Sequence, residues 1–208
     1  MNLPNKITLT RIFMIPVFVA VFYCGYLSKW CFLTSAIVFL LAAATDALDG
    51  YIARSRNLVT NFGKFLDPIA DKVLVSTALI VILTIPTAFQ VVLYGSLGIV
   101  AAGVCVSLIL ARELIVSGFR IIAAGRNLIL AADKFGKIKT VTQDLAIALI
   151  LVAMTFVGTR AGGILSVIGQ VLLAVSTLLT VISGVHYLVK NKAVLKDEEP
   201  PKEEEAGE

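Results

Sequence analysis

Apolar residues along this chain gather into long runs, at about residues 12–27, 31–51, 73–89, 91–115, 141–157 and 164–189. Each is close to the roughly 20 predominantly apolar residues that one α-helix needs to cross a hydrocarbon core. The pattern predicts an all-α integral membrane protein of six transmembrane helices. The breaks agree: Ser28 and Lys29 divide the first pair of runs, Pro86 stands near the end of the third, and residues 158–163, with glycine at both ends, separate the last pair.

The polar positions then orient these helices. One side collects Lys6 and Arg11, then Arg54, Arg56, Lys64 and Lys72, then Arg112, Arg120, Arg126, Lys134, Lys137 and Lys139, and finally Lys190, Lys192, Lys196 and Lys202. The other side holds only Lys29 and Arg160. Cytoplasmic loops carry the Lys and Arg excess, so both termini and both long polar connections are expected on the cytosolic side of the cell membrane. Residues 119–126 are amphipathic and are expected to lie along the headgroup layer. The chain shows no internal repeat.

Composition sharpens this picture. Of 208 residues, 58% are hydrophobic and only 15% charged, with a mean hydropathy of +0.93, which excludes an ordinary soluble domain. The net charge of +4 combines a basic body with a tail rich in Glu, Pro and Lys that has nothing apolar to bury. A membrane domain over residues 1–192 and a disordered acidic tail over 193–208 are expected, with membrane lipids around the first. No nucleic-acid partner is expected. Cys24, Cys31 and Cys105 lack metal-ligand spacing and read as thiols buried in apolar surroundings. His186, inside the last run, reads as structural. Lys6 and Arg11 ahead of an apolar run mimic a secretory leader, but Val21-Phe22-Tyr23-Cys24 is bulky where a cleavage site needs small residues.

The chemistry concentrates between Asp46 and Asp71: Asp46-x-x-Asp49-Gly50-x-x-Ala53-Arg54, then Gly63-x-x-x-Asp67-x-x-x-Asp71. Chance occurrence of these fixed positions is on the order of 10⁻¹⁰ per starting point at average residue usage. Residues three or four apart share a helix face, so each pair of aspartates points one way, the first at the cytosolic end of the second helix and the second near the start of the third. Pro68 suits the first turn of that third helix. Four carboxylates at a membrane edge repel one another and are driven toward protonation unless cations hold them. Oxygen-only ligation selects hard divalent ions such as Mg²⁺ or Mn²⁺, and two of them would clamp a diphosphate. Gly50 and Ala53 keep this face small so that a nucleotide can come close, and Gly63 relaxes the loop.

This constellation resembles the signature of the CDP-alcohol phosphotransferase family. The resemblance implies a six-helix, homodimeric membrane fold with a cytosol-facing cavity. It implies that Asp46, Asp49, Asp67 and Asp71 ligate two divalent cations, Mg²⁺ or Mn²⁺, and that Asp71 also deprotonates the acceptor hydroxyl. By the same resemblance Gly50, Ala53 and Gly63 line the CDP site with Asp46 and Asp49, and Arg54 supports its phosphates.

The donor is then CDP-diacylglycerol, and the acceptor must be read elsewhere. The opening Asn2-Leu3-Pro4-Asn5-Lys6-Ile7-Thr8-Leu9-Thr10-Arg11, the Arg112-Glu113 pair with Arg120, and Gly136-Lys137-Ile138-Lys139-Thr140 with Gln143 resemble blocks of the bacterial phosphatidylglycerophosphate synthases, which implies sn-glycerol 3-phosphate. Charge agrees, because an aspartate-lined pocket repels a phosphate dianion unless cations flank it. Arg112, Arg120, Lys137 and Lys139 are the candidates, through charge-assisted hydrogen bonds; the same cations also serve topology and anionic lipid. Inositol phosphate, serine or phosphatidylglycerol are alternative acceptors on the same scaffold. A cation transporter is a further alternative, although transporters place ionisable residues near the bilayer midplane.

Overall fold

A backbone inside hydrocarbon must satisfy its own hydrogen bonds, which leaves the helix as the local solution for apolar runs of this length. The computed structural model describes the backbone of residues 3–55, 61–89, 96–125 and 134–192. Within those ranges it describes the side chains of residues 6–45, 69–70, 72–86, 88–89, 97–123, 136 and 138–192. All regular structure in these residues is helical: α1 (Leu3–Tyr23), α2 (Trp30–Ser55), α3 (Asn61–Leu83), α4 (Ser96–Gly125), α5 (Lys134–Thr155) and α6 (Arg160–Lys190), with short 3-10 turns at Cys24–Tyr26 and Pro86–Phe89. Among the described residues, four segments are long and apolar enough to cross a membrane, Lys6–Tyr26, Leu97–Ala123, Ile138–Thr155 and Arg160–Lys190. Trp30–Thr45 and Lys72–Leu83 are shorter apolar stretches of α2 and α3.

The helices alternate in direction, as their contacts show. At one end Arg11 of α1 meets Thr45 of α2, Lys72 of α3 meets Ser117 of α4, and Lys139 of α5 meets Glu113 of α4. At the opposite end Trp30 opens α2 edge-on to Phe156 just past α5, and Ser166 near the start of α6 donates to the Ala88 carbonyl in the turn after α3 at 2.9 Å. That second end carries an aromatic group of Tyr23, Tyr26 and Trp30, the residue types that favour a membrane–water interface.

Lipid is as apolar as leucine, so close packing rather than the hydrophobic effect must join the helices. The core meets this with interlocked aromatics between α1 and α2 and with small residues where α6 approaches α5. Phe18 and Phe22 of α1 interlock with Phe39 and Phe32 of α2, at ring separations of 6.1 and 5.5 Å. Leu74, Ala78 and Ile82 of α3 and Ala146, Ile147, Ile150 and Met154 of α5 repeat at helical spacing and join the same cluster. α6 instead turns a face of Gly, Ser and Thr inward. Gly169 is required there, since a Cβ would stand 2.8 Å from Ile150 Cγ1 and 3.2 Å from the Ile150 backbone nitrogen. The hydroxyls of Ser176, Thr177 and Thr180 return to carbonyls one turn back in α6, so this polar face carries satisfied groups. The outer face of α6, from Ile164 through Val171, Leu178 and Ile182 to Val189, is exposed and apolar; in water such a stripe would aggregate, while a bilayer matches it.

Three expectations change. Residues 119–125 do not form a separate interfacial helix but continue α4 to Gly125, because Val116, Phe119 and Ala123 face inward at helical spacing and pack with Tyr187 of α6. α3 begins at Asn61, which places Pro68 in the second turn rather than the first. Cys24 is exposed and Cys31 and Cys105 are half-buried, all as free thiols; His186 lies on the exposed side of α6. The proposed tail, 193–208, lies outside the described residues.

Candidate active site

The turns that carry the aspartates belong to two helices in contact with each other. Asp46 and Asp49 stand three apart in the second half of α2, and Asp67 and Asp71 four apart in the second and third turns of α3. On each helix the spacing sets the pair on one face. The side chains of all four, and those of Ala53 and Arg54 together with the surroundings of Gly50 and Gly63, lie outside the described residues.

The immediate neighbours are described, and they anchor both turns. Arg11 is fully buried and donates from Nε to Thr45 Oγ1 at 3.3 Å, one residue before Asp46. Thr45 in turn donates to the Ala42 carbonyl at 2.6 Å. Next to Asp71, Ala70 is fully buried and Lys72 donates to Ser117 Oγ of α4. The first aspartate pair is thus braced by α1 and the second by α4, at the same end of the bundle.

The candidate acceptor cations divide. Arg112 of α4 and Lys139 of α5 meet on one oxygen: Glu113 Oε1 accepts from Arg112 Nη1 at 3.0 Å and from Lys139 Nζ. Arg112 Nη2 also donates to Ser183 Oγ of α6 at 3.1 Å. The arginine side chain runs across Gly184, where a Cβ would stand 2.7 Å from Arg112 Cγ. Ser117, which receives the Lys72 amine, donates to the Glu113 backbone carbonyl. Four helices therefore converge here through α3, α4, α5 and α6. Buried Arg112 Nε and Gln143 Oε1 have no hydrogen-bond partner among the described residues; Gln143 is one helical turn beyond Lys139.

Arg120 is engaged differently. Its Nε donates to Tyr187 OH at 3.3 Å and its guanidinium lies 5.4 Å from the Tyr187 ring centroid. Eight residues beyond Arg112 on α4, it sits about 12 Å further along the helix. The Lys137 side chain lies outside the described residues. Sequence reading assigned no role to Glu113, Ser117, Ser183 or Gly184. Glu113 alone carries a signal, as an acidic residue beside a cation in an apolar run; Ser117, Ser183 and Gly184 carry none.

A cavity of about 250 Å³ opens at the opposite end, between Met154, Val157, Thr159, Gly162 and Ser166. It is mainly apolar and removed from the charged residues above.

Charged turns gathered at one end of a helical bundle fit the expected family, and the comparison with known proteins decides the matter. The profile of the CDP-alcohol phosphatidyltransferases matches residues 1–182. The chain belongs to the CDP-alcohol phosphatidyltransferase family. It is an integral membrane protein of that phosphotransferase family. A CDP-diacylglycerol–glycerol-3-phosphate 3-phosphatidyltransferase of Bacillus subtilis is 39% identical over 208 aligned positions, covering 94% of this chain and 97% of the relative. Proteins of the same name from Rickettsia felis and Salmonella typhimurium are 36% and 34% identical, covering 89% and 95% of this chain and 93% and 98% of the relatives. CDP-alcohol phosphatidyltransferases are in general dependent on divalent metal. The donor set suits that requirement: four carboxylates paired on adjacent helices offer only hard oxygen ligands.

Proposed function

We propose that this CDP-alcohol phosphatidyltransferase transfers the phosphatidyl group of CDP-diacylglycerol to sn-glycerol 3-phosphate, giving phosphatidylglycerophosphate and CMP. The observation that carries the reading is the juxtaposition at one bundle end of two aspartate-bearing turns with the cations Arg112 and Lys139. One set suits a metal-held diphosphate and the other a phosphate on the acceptor. The name shared by the relatives supports this choice of acceptor.

Asp46, Asp49, Asp67 and Asp71 would hold two divalent cations, Mg²⁺ or Mn²⁺, whose charge stabilises the diphosphate oxygens. Gly50, Ala53 and Gly63 leave room for the CDP moiety and Arg54 supports its phosphates. Arg112, Lys137 and Lys139, with Arg120 at the rim, draw the acceptor phosphate in by charge-assisted hydrogen bonds. Asp71 takes the proton from the acceptor's primary hydroxyl. The hydroxyl oxygen then bonds to the lipid-linked phosphorus, the bond from that phosphorus to the CMP oxygen breaks, and CMP leaves.

The six helices all span the cell membrane, with both termini and the site on the cytosolic side, and residues 1–192 form one homodimerising membrane domain ahead of an acidic tail. The gathering of basic residues at the site end and of Tyr23, Tyr26 and Trp30 at the other supports this orientation. The deciding test is CMP release from purified protein given CDP-diacylglycerol and each acceptor in turn: glycerol 3-phosphate, inositol phosphate, serine and phosphatidylglycerol. Turnover with glycerol 3-phosphate, lost in an inserted and folded Asp71→Asn variant, is the expected result. Normal turnover of that variant would sink the role of Asp71, and preference for another acceptor would sink the assignment of substrate.

A further inference from the structure

The cluster around Glu113 is more than a neutralising ion pair. Arg112 and Glu113 are consecutive on α4, and consecutive helical residues point about 100° apart, so helix geometry alone does not pair them. They meet because Arg112 is carried over Gly184 and pinned to Ser183 on α6, while Lys139 approaches from α5. A single carboxylate oxygen serves both cations, which leaves a surplus of positive charge in this set among the described residues. Lys139 is almost fully buried, and burying a surplus cation is costly unless an anion completes the set. The Glu113 main chain adds a second hold, since its carbonyl receives Ser117, which receives Lys72, the residue after Asp71. Glu113 thus ties the cation pair to the helix that carries the proposed base.

We infer that Glu113 is a positioning residue for the acceptor phosphate: it holds the Arg112 guanidinium and the Lys139 amine in one convergent set with excess positive charge, selecting an acceptor that bears a phosphate dianion. This rests on the reading of Arg112 and Lys139 as acceptor ligands. Preorganised cations lose little freedom when the phosphate arrives. Without Glu113 the two head groups repel and separate, and the acceptor must reassemble them.

The test is steady-state CMP release by the full chain in CDP-diacylglycerol micelles, titrated with glycerol 3-phosphate, for Glu113→Gln, Glu113→Asp, Arg112→Ala and Lys139→Ala. Glu113→Gln should raise the KM for glycerol 3-phosphate about ten- to a hundredfold. The KM for CDP-diacylglycerol should stay within about twofold, the inhibition constant of inorganic phosphate should rise in parallel, and Glu113→Asp should recover part of the loss. A merely structural Glu113 would lower thermal stability and leave both phosphate readouts unchanged, and that result overturns the proposal. If the two cation variants raise the KM while Glu113→Gln does not, positioning fails and the acceptor reading stands. If neither cation variant shifts it, the acceptor reading itself falls. Should Glu113→Gln not fold, Glu113→Asp decides: its shorter side chain, which leaves the carboxylate further from both cations, should raise the KM for glycerol 3-phosphate at least threefold, and an unchanged KM overturns the proposal.

Discussion

Gly184 offers a way to disturb the proposed acceptor site without removing a charged group. It lies beneath the Arg112 side chain, and an added Cβ would stand 2.7 Å from Arg112 Cγ, 3.1 Å from Nε and 3.5 Å from Cδ. Carbon atoms rest about 3.5–4.0 Å apart, so Gly184→Ala displaces the arginine by about 1 Å at Cγ. Because Cγ is in the middle of the side chain, the guanidinium moves with it, away from Ser183 Oγ at 3.1 Å and Glu113 Oε1 at 3.0 Å. A hydrogen bond to a charged group contributes about 1.5–3 kcal/mol, and about 1.4 kcal/mol is tenfold in an equilibrium. The KM for glycerol 3-phosphate should therefore rise about ten- to a hundredfold, read by CMP release at saturating CDP-diacylglycerol. Gly118→Ala on α4 is the control: nothing lies within 4 Å of its added carbon, and replacing glycine inside a helix stabilises by about 0.5–1 kcal/mol. A Gly184→Ala enzyme whose KM stays within about twofold of the unaltered chain, or an equal rise in the control, refutes the reasoning.

Chelation of divalent metal should abolish CMP release and either Mg²⁺ or Mn²⁺ should restore it, while Asp46→Asn should raise the metal concentration for half-activity or remove activity altogether; turnover insensitive to chelator would contradict the aspartate site. Gly169→Val should push α6 off α5 and cost about 1–3 kcal/mol through overpacking, seen as a lower midpoint in thermal unfolding in detergent, with an unchanged midpoint counting against the close approach. Arg120→Ala should raise the KM for glycerol 3-phosphate less than Arg112→Ala does, since it stands about 12 Å further along α4 from the set around Glu113 and turns to Tyr187 instead; an equal rise would place Arg120 in the acceptor site on the same footing. Cys24, exposed at the end opposite the aspartates, should react with a membrane-impermeant maleimide added outside intact cells, and labelling only after the cells are opened would reverse the proposed orientation.

Much of the helical pattern was readable residue by residue. A run of apolar side chains long enough to span hydrocarbon has one local solution for its backbone, so the runs anticipated the starts of α2 and α6 closely, whereas α1 and α5 begin at Leu3 and Lys134, well ahead of the runs at 12 and 141. The ends were less readable, because packing decides them. Phe119 and Ala123 prolong α4 only because Tyr187, 68 and 64 residues away in the chain, gives them a surface to meet. Cys24 read as buried because its neighbours in sequence are apolar, yet it sits on an exposed turn between α1 and α2.

The candidate site divides along the same line. Carboxylates spaced three and four apart fall on shared helix faces through helical periodicity, so the placement of the aspartate pairs on α2 and α3 stood in the chain itself. The set around Glu113 did not. Arg112 reaches Ser183 across 71 residues and Lys139 reaches Glu113 across 26; no local period links such positions. Those side chains become one set only when α4, α5 and α6 pack at distances that Gly169 and Gly184 permit. Contact between helices far apart in the chain depends on which surfaces fit, and folding alone brings those surfaces together.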